Sequence, residues 1–185
     1  MITIEPTSFE AEFSAPTLTR FLNRARAAIG LRGAVDVLLT GDKTLRQLNR
    51  SFRGKDKPTD VLSFPAPDAF AKKHAGDLAI SLDTAVRQAK AFAHPVADEI
   101  KILILHGLLH LAGEDHETDQ GEMATREAAL RRELRLPVTL IERTTLTTPK
   151  KQITTTLRPS KTTQKSSTTQ KPSKSAKKSA SRGGK

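Results

Sequence analysis

The chain has 185 residues, enough for one domain with a sizeable core, and it contains no cysteine. Disulfide bonds and thiolate metal sites are therefore excluded, so a transition-metal site would have to use imidazole or carboxylate ligands. No stretch approaches the roughly 20 apolar residues of a membrane span, and the first residues do not resemble a signal peptide, so we expect a cytoplasmic protein without a membrane partner.

The formal net charge of +11 comes from the C-terminal part of the chain. Residues 1–143 hold 20 Lys and Arg against 20 Asp and Glu, whereas residues 144–185 hold 11 basic residues and no acidic one. The latter segment has too few large apolar side chains to offset the entropy of ordering. We therefore predict a folded domain at 1–143 and a basic, disordered tail at 144–185, and the typical partner of such a tail is RNA or another anionic surface.

Glycines and apolar spacing divide the first 65 residues into alternating strands and helices. Apolar residues recur at helical spacing up to Gly30, and a β-branched run lies between Gly33 and Gly41. Asp42 is placed to cap a second helix, which the charged, turn-rich residues 53–60 then end. The predicted elements are an edge strand at 1–5, a helix at 16–29, a strand at 34–40, a helix at 42–52 and a strand at 61–65.

The second half of the folded part continues this alternation. Asp83 is a candidate cap for a helix that must break before Pro95, because the proline ring removes a backbone donor. An apolar helix then starts near Asp98, and the last helix, with Glu127 and Arg131 among its polar residues, packs back on the core. With a strand at 76–82 and the last helix at 119–134, the pattern predicts an α/β (α+β) fold, a single layer of short strands packed with helices.

Three of the five histidines fall within eleven residues of the apolar helix and the turn after it. His106 and His110 stand at i and i+4 and share one helix face, while Gly113 can end the helix in the left-handed conformation and turn the chain back to present His116. The alternative is one buried, hydrogen-bonded histidine and one on the surface. The spacing H-x3-H-x5-H favours a metal site, and three neutral imidazoles leave zinc one open position for chemistry.

The same spacing overlays the zinc-protease pattern H-E-x-x-H-x-x-G-x-x-H, except that Gly107 replaces the glutamate. Peptide hydrolysis would lack its general base, so peptidase chemistry is disfavoured. Glu114 and Asp115 are close in sequence, and either could act as a base, orient a ligand histidine or face solvent.

Electrostatics favours an anionic substrate. Zinc on three neutral histidines keeps its positive charge, and a nearby arginine would make the site a receptor for phosphate. Arg53 is the candidate, although a single loop arginine can equally be a solvated surface residue. The chain has no Trp or Tyr, and Phe52 and Phe64 are predicted to be core residues, so RNA binding should depend on backbone phosphates and on salt.

Three blocks of the sequence resemble the signatures of the YbeY family of bacterial endoribonucleases and rRNA maturation factors. They are LNRSFRGKDKPTDVLSFP at 48–65, GDLAIS at 76–81 and HGLLHLAGEDH at 106–116, and the likeness extends over about residues 1–140. The resemblance implies an α/β fold whose metal-binding helix lies in a cleft, with zinc on the three histidines and Arg53 in contact with RNA. It also implies a single-strand-specific endoribonuclease that matures the 3′ end of 16S rRNA and serves ribosome quality control, with the small ribosomal subunit and ribosome-associated proteins as partners.

The resulting hypothesis is a metal-dependent endoribonuclease. The three histidines hold one zinc ion per chain, His110 and Arg53 are the catalytic candidates, and Arg53, Lys55 and Lys57 bind the RNA substrate. Two alternatives stay open, a metal-dependent hydrolase of peptides or esters and a non-catalytic ribosome-assembly factor with a structural metal. The basic tail is either an RNA tether or a solubilising extension.

Overall fold

The computed structural model describes residues 1–5, 13–116 and 118–137, so the predicted tail at 144–185 and its boundary lie outside the described residues. Strands and helices alternate along the chain, which confirms the predicted α/β class. The elements are β1 (Ile2–Ile4), α1 (Ala15–Ile29), β2 (Ala34–Thr40), α2 (Asp42–Arg53), β3 (Val61–Pro65), β4 (His74–Ser81), α3 (Leu82–Ala91), α4 (Val96–Leu111) and α5 (Glu122–Leu134).

The four strands of the described residues form one mixed sheet in the order β1-β2-β4-β3. β1, β2 and β4 run parallel, and β3 runs antiparallel to β4. The register pairs Val37 with Ile2 on one side and Leu78 on the other, and Leu78 in turn pairs with Ser63. β3 therefore lies at one edge of the sheet, beside the central strand β4.

Helices cover both faces of this sheet. On one face α1 and α4 pack against alternate residues of the central strands, including Val37, Leu78 and Ile80. On the other face α2 contacts β3 and β4 over a smaller apolar layer. The smaller layer consists of Leu45, Leu62 and Ala79, with Leu48 and Phe64 packed against it.

Phe52 is not a core residue, which corrects the sequence-based expectation. Its side chain is 67% exposed, although it stands next to the smaller apolar layer. Its ring meets that of the partly buried Phe64 edge to face, with the ring centroids 5.0 Å apart. The α2 helix thus presents an anchored aromatic ring to solvent.

α4 is the central helix, and it packs against α1, α3, α5, β3 and β4. Every residue from Ile102 to Leu109 is buried, as expected for a helix that is apolar on all sides. Because α4 is packed on every side, it fixes its side chains relative to the sheet.

Within the described residues, no helix combines the length and apolar character needed to cross a membrane.

The two predicted aspartate caps work differently from the expectation. Gly41, and not Asp42, is the N-cap of α2, and Ser81, and not Asp83, caps α3 by accepting a hydrogen bond from the Thr84 N–H at 3.1 Å. Each aspartate instead forms hydrogen bonds with the start of the other helix, Asp42 with that of α3 and Asp83 with that of α2. The Asp42 N–H donates to the Asp83 carboxylate at 2.8 Å, while the Asp42 carboxylate accepts from the Ser81 and Thr84 hydroxyls.

Other element boundaries differ by a few residues from the predicted ones. α4 begins at Val96, two residues before Asp98, because the extended Pro95 is its N-cap. α5 begins at Glu122 and not at 119, because the left-handed Gly121 precedes it. Arg53 belongs to α2, as its last residue, and not to a loop.

We expect Asp42→Asn to lower the free energy of unfolding by about 1–2 kcal/mol at neutral pH, because the carboxylate accepts charge-assisted hydrogen bonds. Burial raises the pKa of Asp42, but hydrogen bonds from Ser81, Thr84 and Arg87 outweigh it and hold the pKa below 3.8. The folded pKa is thus depressed, so this stability is present above the unfolded pKa and is lost as the pH falls through the folded value.

Urea titrations of the wild type and Asp42→Asn at several pH values measure this difference. The gap between the two should be widest near neutral pH and shrink below about pH 4. The exposed Asp68→Asn is the matched control and should show little change. An Asp42→Asn gap that stays constant down to pH 3 would contradict the assignment.

Candidate metal centre

α4 carries His106 and His110 on one face at its C-terminal end. Their Nε2 atoms lie 3.2 Å apart and their ring centroids 4.8 Å apart. Two imidazole nitrogens bound to one tetrahedral zinc at about 2.0–2.1 Å would be separated by about 3.3 Å. The spacing of the two nitrogens therefore fits a shared metal ion.

The turn after α4 brings His116 back to the same point. Gly113 has a φ of +89°, its N–H donates to the His110 carbonyl at 3.0 Å, and the Glu114 N–H donates to the Leu109 carbonyl at 3.1 Å. These two bonds form a Schellman motif, which ends a helix and reverses the chain. The His116 ring lies 5.1 and 5.3 Å from the other two rings, and the candidate ligand atoms of the three histidines lie within 4.8 Å of one another. The three histidines form a cluster consistent with a metal site.

Glu127 is a residue of this site that the sequence analysis missed. Its carboxylate oxygen Oε2 lies 3.0 Å from Nδ1 of His106, and both side chains are buried. A carboxylate can only accept, so Nδ1 of His106 carries the proton and Nε2 presents its lone pair to the cluster. Glu127 therefore selects the tautomer of His106 that binds a metal.

Arg131 completes this buried arrangement. Its Nη1 lies 3.3 Å from Oε1 of Glu127, and both side chains are almost fully buried. From the sequence, both residues were named only as polar residues of the last helix, with no role at the site. They share the buried face of α5 with Met123, Leu130 and Leu134. Their spacing from Met123, at four and eight residues, was the signal that could have found them.

Burial lowers the pKa of His110, and repulsion from His106 and His116 lowers it further. A hydrogen bond with the Glu114 backbone and the charge of Asp115 act in the opposite direction, and the net effect lowers the pKa of His110 from its usual range. The lowered pKa favours the neutral imidazole, which is the form that ligates metal.

The two acids of the turn have different surroundings. The Glu114 carboxylate pairs with Arg126, whose guanidinium also donates to the Ile29 carbonyl at 2.7 Å. Glu114 thus ties the His116 turn to α5 and α1. Asp115 is close enough to His110 to influence its pKa. A depression of about 480 Å³ beside this turn is lined by four acids, Glu114, Asp115, Asp119 and Glu122.

Gly107 occupies the position of the protease glutamate, and it faces the sheet. A Cβ atom there would approach Cδ2 of Leu78 to 2.8 Å and Oγ of Ser63 to 3.3 Å, while Ser63 donates a hydrogen bond to the Gly107 carbonyl at 3.2 Å. The close contact between α4 and the sheet leaves no room for a general base at this position.

The predicted RNA-binding residues lie at the end of α2 and just beyond it. Arg53, Lys55 and Lys57 are exposed, and no hydrogen bond or ion pair between described residues joins them to the three histidines. Arg46 holds Asp56 through two hydrogen bonds of 2.8 and 2.9 Å, and buried Asn49 donates to the Lys57 carbonyl at 2.7 Å. The backbone that carries the two lysines is therefore fastened to α2.

The family model and the curated relatives that match this chain carry the same description. Residues 4–135 match the family model described as Endoribonuclease YbeY. A Koribacter versatilis protein of that name is 56% identical over 135 residues, spanning 73% of this chain and 87% of the relative. One from Solibacter usitatus is 49% identical over 133 residues, spanning 72% of this chain and 88% of the relative. A Thermotoga maritima protein solved in solution is 28% identical with a TM-score of 0.50, covering 72% of this chain and 89% of that protein.

We expect Glu127→Gln to weaken zinc binding by about 10- to 100-fold, because the neutral amide no longer enforces the proton on Nδ1 of His106. Competition with a chromophoric chelator measures the affinity. Glu133→Gln, an exposed change on the same helix, is the matched control. Circular dichroism selects a temperature at which both variants are folded, since the first change also leaves Arg131 with a weaker partner. Equal zinc affinities of the two variants would refute the role of Glu127.

Proposed function

Because this chain belongs to the YbeY family of endoribonucleases, we propose that it cleaves single-stranded RNA at the histidine cluster and matures the 3′ end of 16S ribosomal RNA. The chain is an endoribonuclease by family, which disfavours the peptidase or esterase and the non-catalytic assembly factor. The convergence of three imidazoles, one of them in a tautomer fixed by Glu127, is the observation that carries the proposal.

We propose zinc as the metal, held by His106, His110 and His116. The chain has no thiolate, and neutral imidazoles on a rigid helix and turn suit zinc. A bound zinc ion would supply Lewis-acid stabilisation of the negative charge that develops on a phosphodiester. His110, half-buried at the end of α4, is the histidine that we assign to both metal binding and catalysis.

The protein's own contribution to phosphate recognition is proposed to come from Arg53, Lys55 and Lys57. Arg53 is exposed at the C-terminal end of α2, and its guanidinium has five N–H donors for phosphate oxygens. In the described part of the chain its side chain has no hydrogen-bond or ion-pair partner. Arg53 would orient the scissile phosphate and offset its developing charge, and the two lysines would guide the strand.

The proposed partners follow from this substrate. They are ribosomal RNA, the small ribosomal subunit and ribosome-associated proteins. The cytoplasm, where ribosomes are assembled, stays the predicted location.

We expect His110→Ala to lose both bound zinc and RNA cleavage, whereas Arg53→Ala keeps zinc and loses about 10²- to 10³-fold in cleavage rate, the effect of removing one charge-stabilising donor. Metal content by atomic emission and cleavage of a labelled 16S precursor are measured on the same preparations. The exposed Arg32→Ala serves as the control for removing a surface cation and should behave as the wild type.

Two outcomes of this experiment would contradict the assignments. Full cleavage by folded, metal-free His110→Ala would exclude a metal-dependent reaction. Full cleavage by Arg53→Ala would show that Arg53 has no role in catalysis, and the assignment of the histidine cluster would still stand.

For the tail, we propose an RNA tether and not a solubilising extension, because all of the excess positive charge lies there. Truncation after Thr148 should flatten the salt dependence of RNA affinity, since each lost phosphate contact removes about 0.7 from the log–log slope on single strands. The cleavage rate at saturating RNA should stay unchanged. An unchanged slope would favour the solubilising role.

A further inference from the structure

We propose that Phe52 is a stacking platform for an unpaired RNA base and that the cations around it bind the adjacent phosphates. This inference deepens the proposed function and rests on it. It assigns the preference for single strands to one aromatic ring, which lies on the opposite side of β3 from the histidine helix.

The first argument is the state of the ring. Phe52 is 67% exposed, so most of its apolar surface contributes no burial free energy to the fold and is open to a ligand. Its contact with Phe64, at 5.0 Å and 68°, fixes the ring from one side and leaves the other side open. Phe70 is almost as exposed, at 62%, but it has no ring partner among the described residues. Phe52 is thus preorganised in a way that Phe70 is not.

The second argument is charge. Arg50, Arg53, Lys55 and Lys57 are exposed and lie within five residues of Phe52 in the chain, and Asp56 is already paired with Arg46. An aromatic ring among cations matches single-stranded RNA, whose bases stack while its phosphates bind cations. A duplex hides its base faces and so has none to stack on this ring.

The third argument is position. Neighbouring residues of a strand point to opposite faces of the sheet, and on β3 Phe64 supports Phe52 while Ser63 donates to Gly107 of the histidine helix. β3 is an edge strand of the sheet. An RNA segment bound at Phe52 therefore has to pass around only this one strand to reach the face of the sheet on which the histidine helix lies. The acidic depression beside the His116 turn repels phosphate, so approach from the α2 side is electrostatically favoured.

Anisotropy of a short fluorescent oligoadenylate with 2′-O-methyl sugars, which resists cleavage, tests the platform on the zinc-loaded full chain. We expect Phe52→Ala to weaken binding by about 5- to 150-fold, the range for loss of one base–aromatic stack. Phe52→Trp should bind at least as tightly as the wild type. Phe70→Ala, the matched control for loss of an exposed phenylalanine, should bind as the wild type.

Salt dependence separates stacking from charge. Phe52→Ala should leave the slope of log affinity against log salt unchanged, because no phosphate contact is lost, whereas Lys55→Ala should reduce it by about 0.7. A matching RNA duplex should bind the wild type and Phe52→Ala equally. If Phe52 has only a structural role, Phe52→Ala should lower the affinities for single strands and duplex and also the melting temperature. Phe52→Trp should then not have the affinity of the wild type.

The two proposals can fail separately. If the wild type binds the oligonucleotide but cleaves no RNA, the proposed function is wrong. If the wild type cleaves RNA and Phe52→Ala binds the oligonucleotide as tightly as Phe70→Ala, Phe52 is not a stacking platform.

Discussion

The structure depends on one helix being buried on every side. α4 lies between the sheet and three other helices, so its eight consecutive buried residues from Ile102 to Leu109 have little freedom to shift. The two histidine side chains that this helix gives to the candidate metal site share its rigidity. The cost is that His106, a polar group inside an apolar core, must have its hydrogen bonds satisfied there.

α5 provides the hydrogen-bond partner of His106, and three buried groups, His106, Glu127 and Arg131, contact one another in sequence. Arg131 neutralises Glu127, and Glu127 accepts a hydrogen bond from the Nδ1–H of His106, so each charge has a partner in the interior. Removal of one member of such an arrangement typically costs about 3–5 kcal/mol, because another charge is left buried and unpaired. The arrangement therefore couples the stability of α5 packing to the tautomer of His106. Glu114 and Arg126 make a second link between α5 and the turn that holds His116.

Much of this fold could be predicted because the deciding signals are local. The strand at 34–40 lies between two glycines, and the histidine spacing and Gly113 together describe a helix and its reversal. The caps of α2 and α3 could not be predicted, since Asp42 and Asp83 each serve a helix about forty residues away. Glu127 was missed because its helical spacing from Met123 was not weighed against its charge, and Phe52 was placed in the core because an apolar residue was assumed to be internal.

The close packing of α4 also decides where the chemistry has to come from. The helix approaches the sheet so closely at Gly107 that the position used by zinc proteases for a base is filled by Leu78 and Ser63. Glu127, the buried carboxylate that contacts the histidine cluster, is held by His106 and Arg131. Assistance to a substrate must therefore come from outside the core, from Asp115 in the turn or from the cationic end of α2. The cationic end of α2 attracts phosphate and Asp115 repels it, so for the proposed RNA substrate we expect the strand to lie on the α2 side and only the reacting phosphate to lie at the histidines.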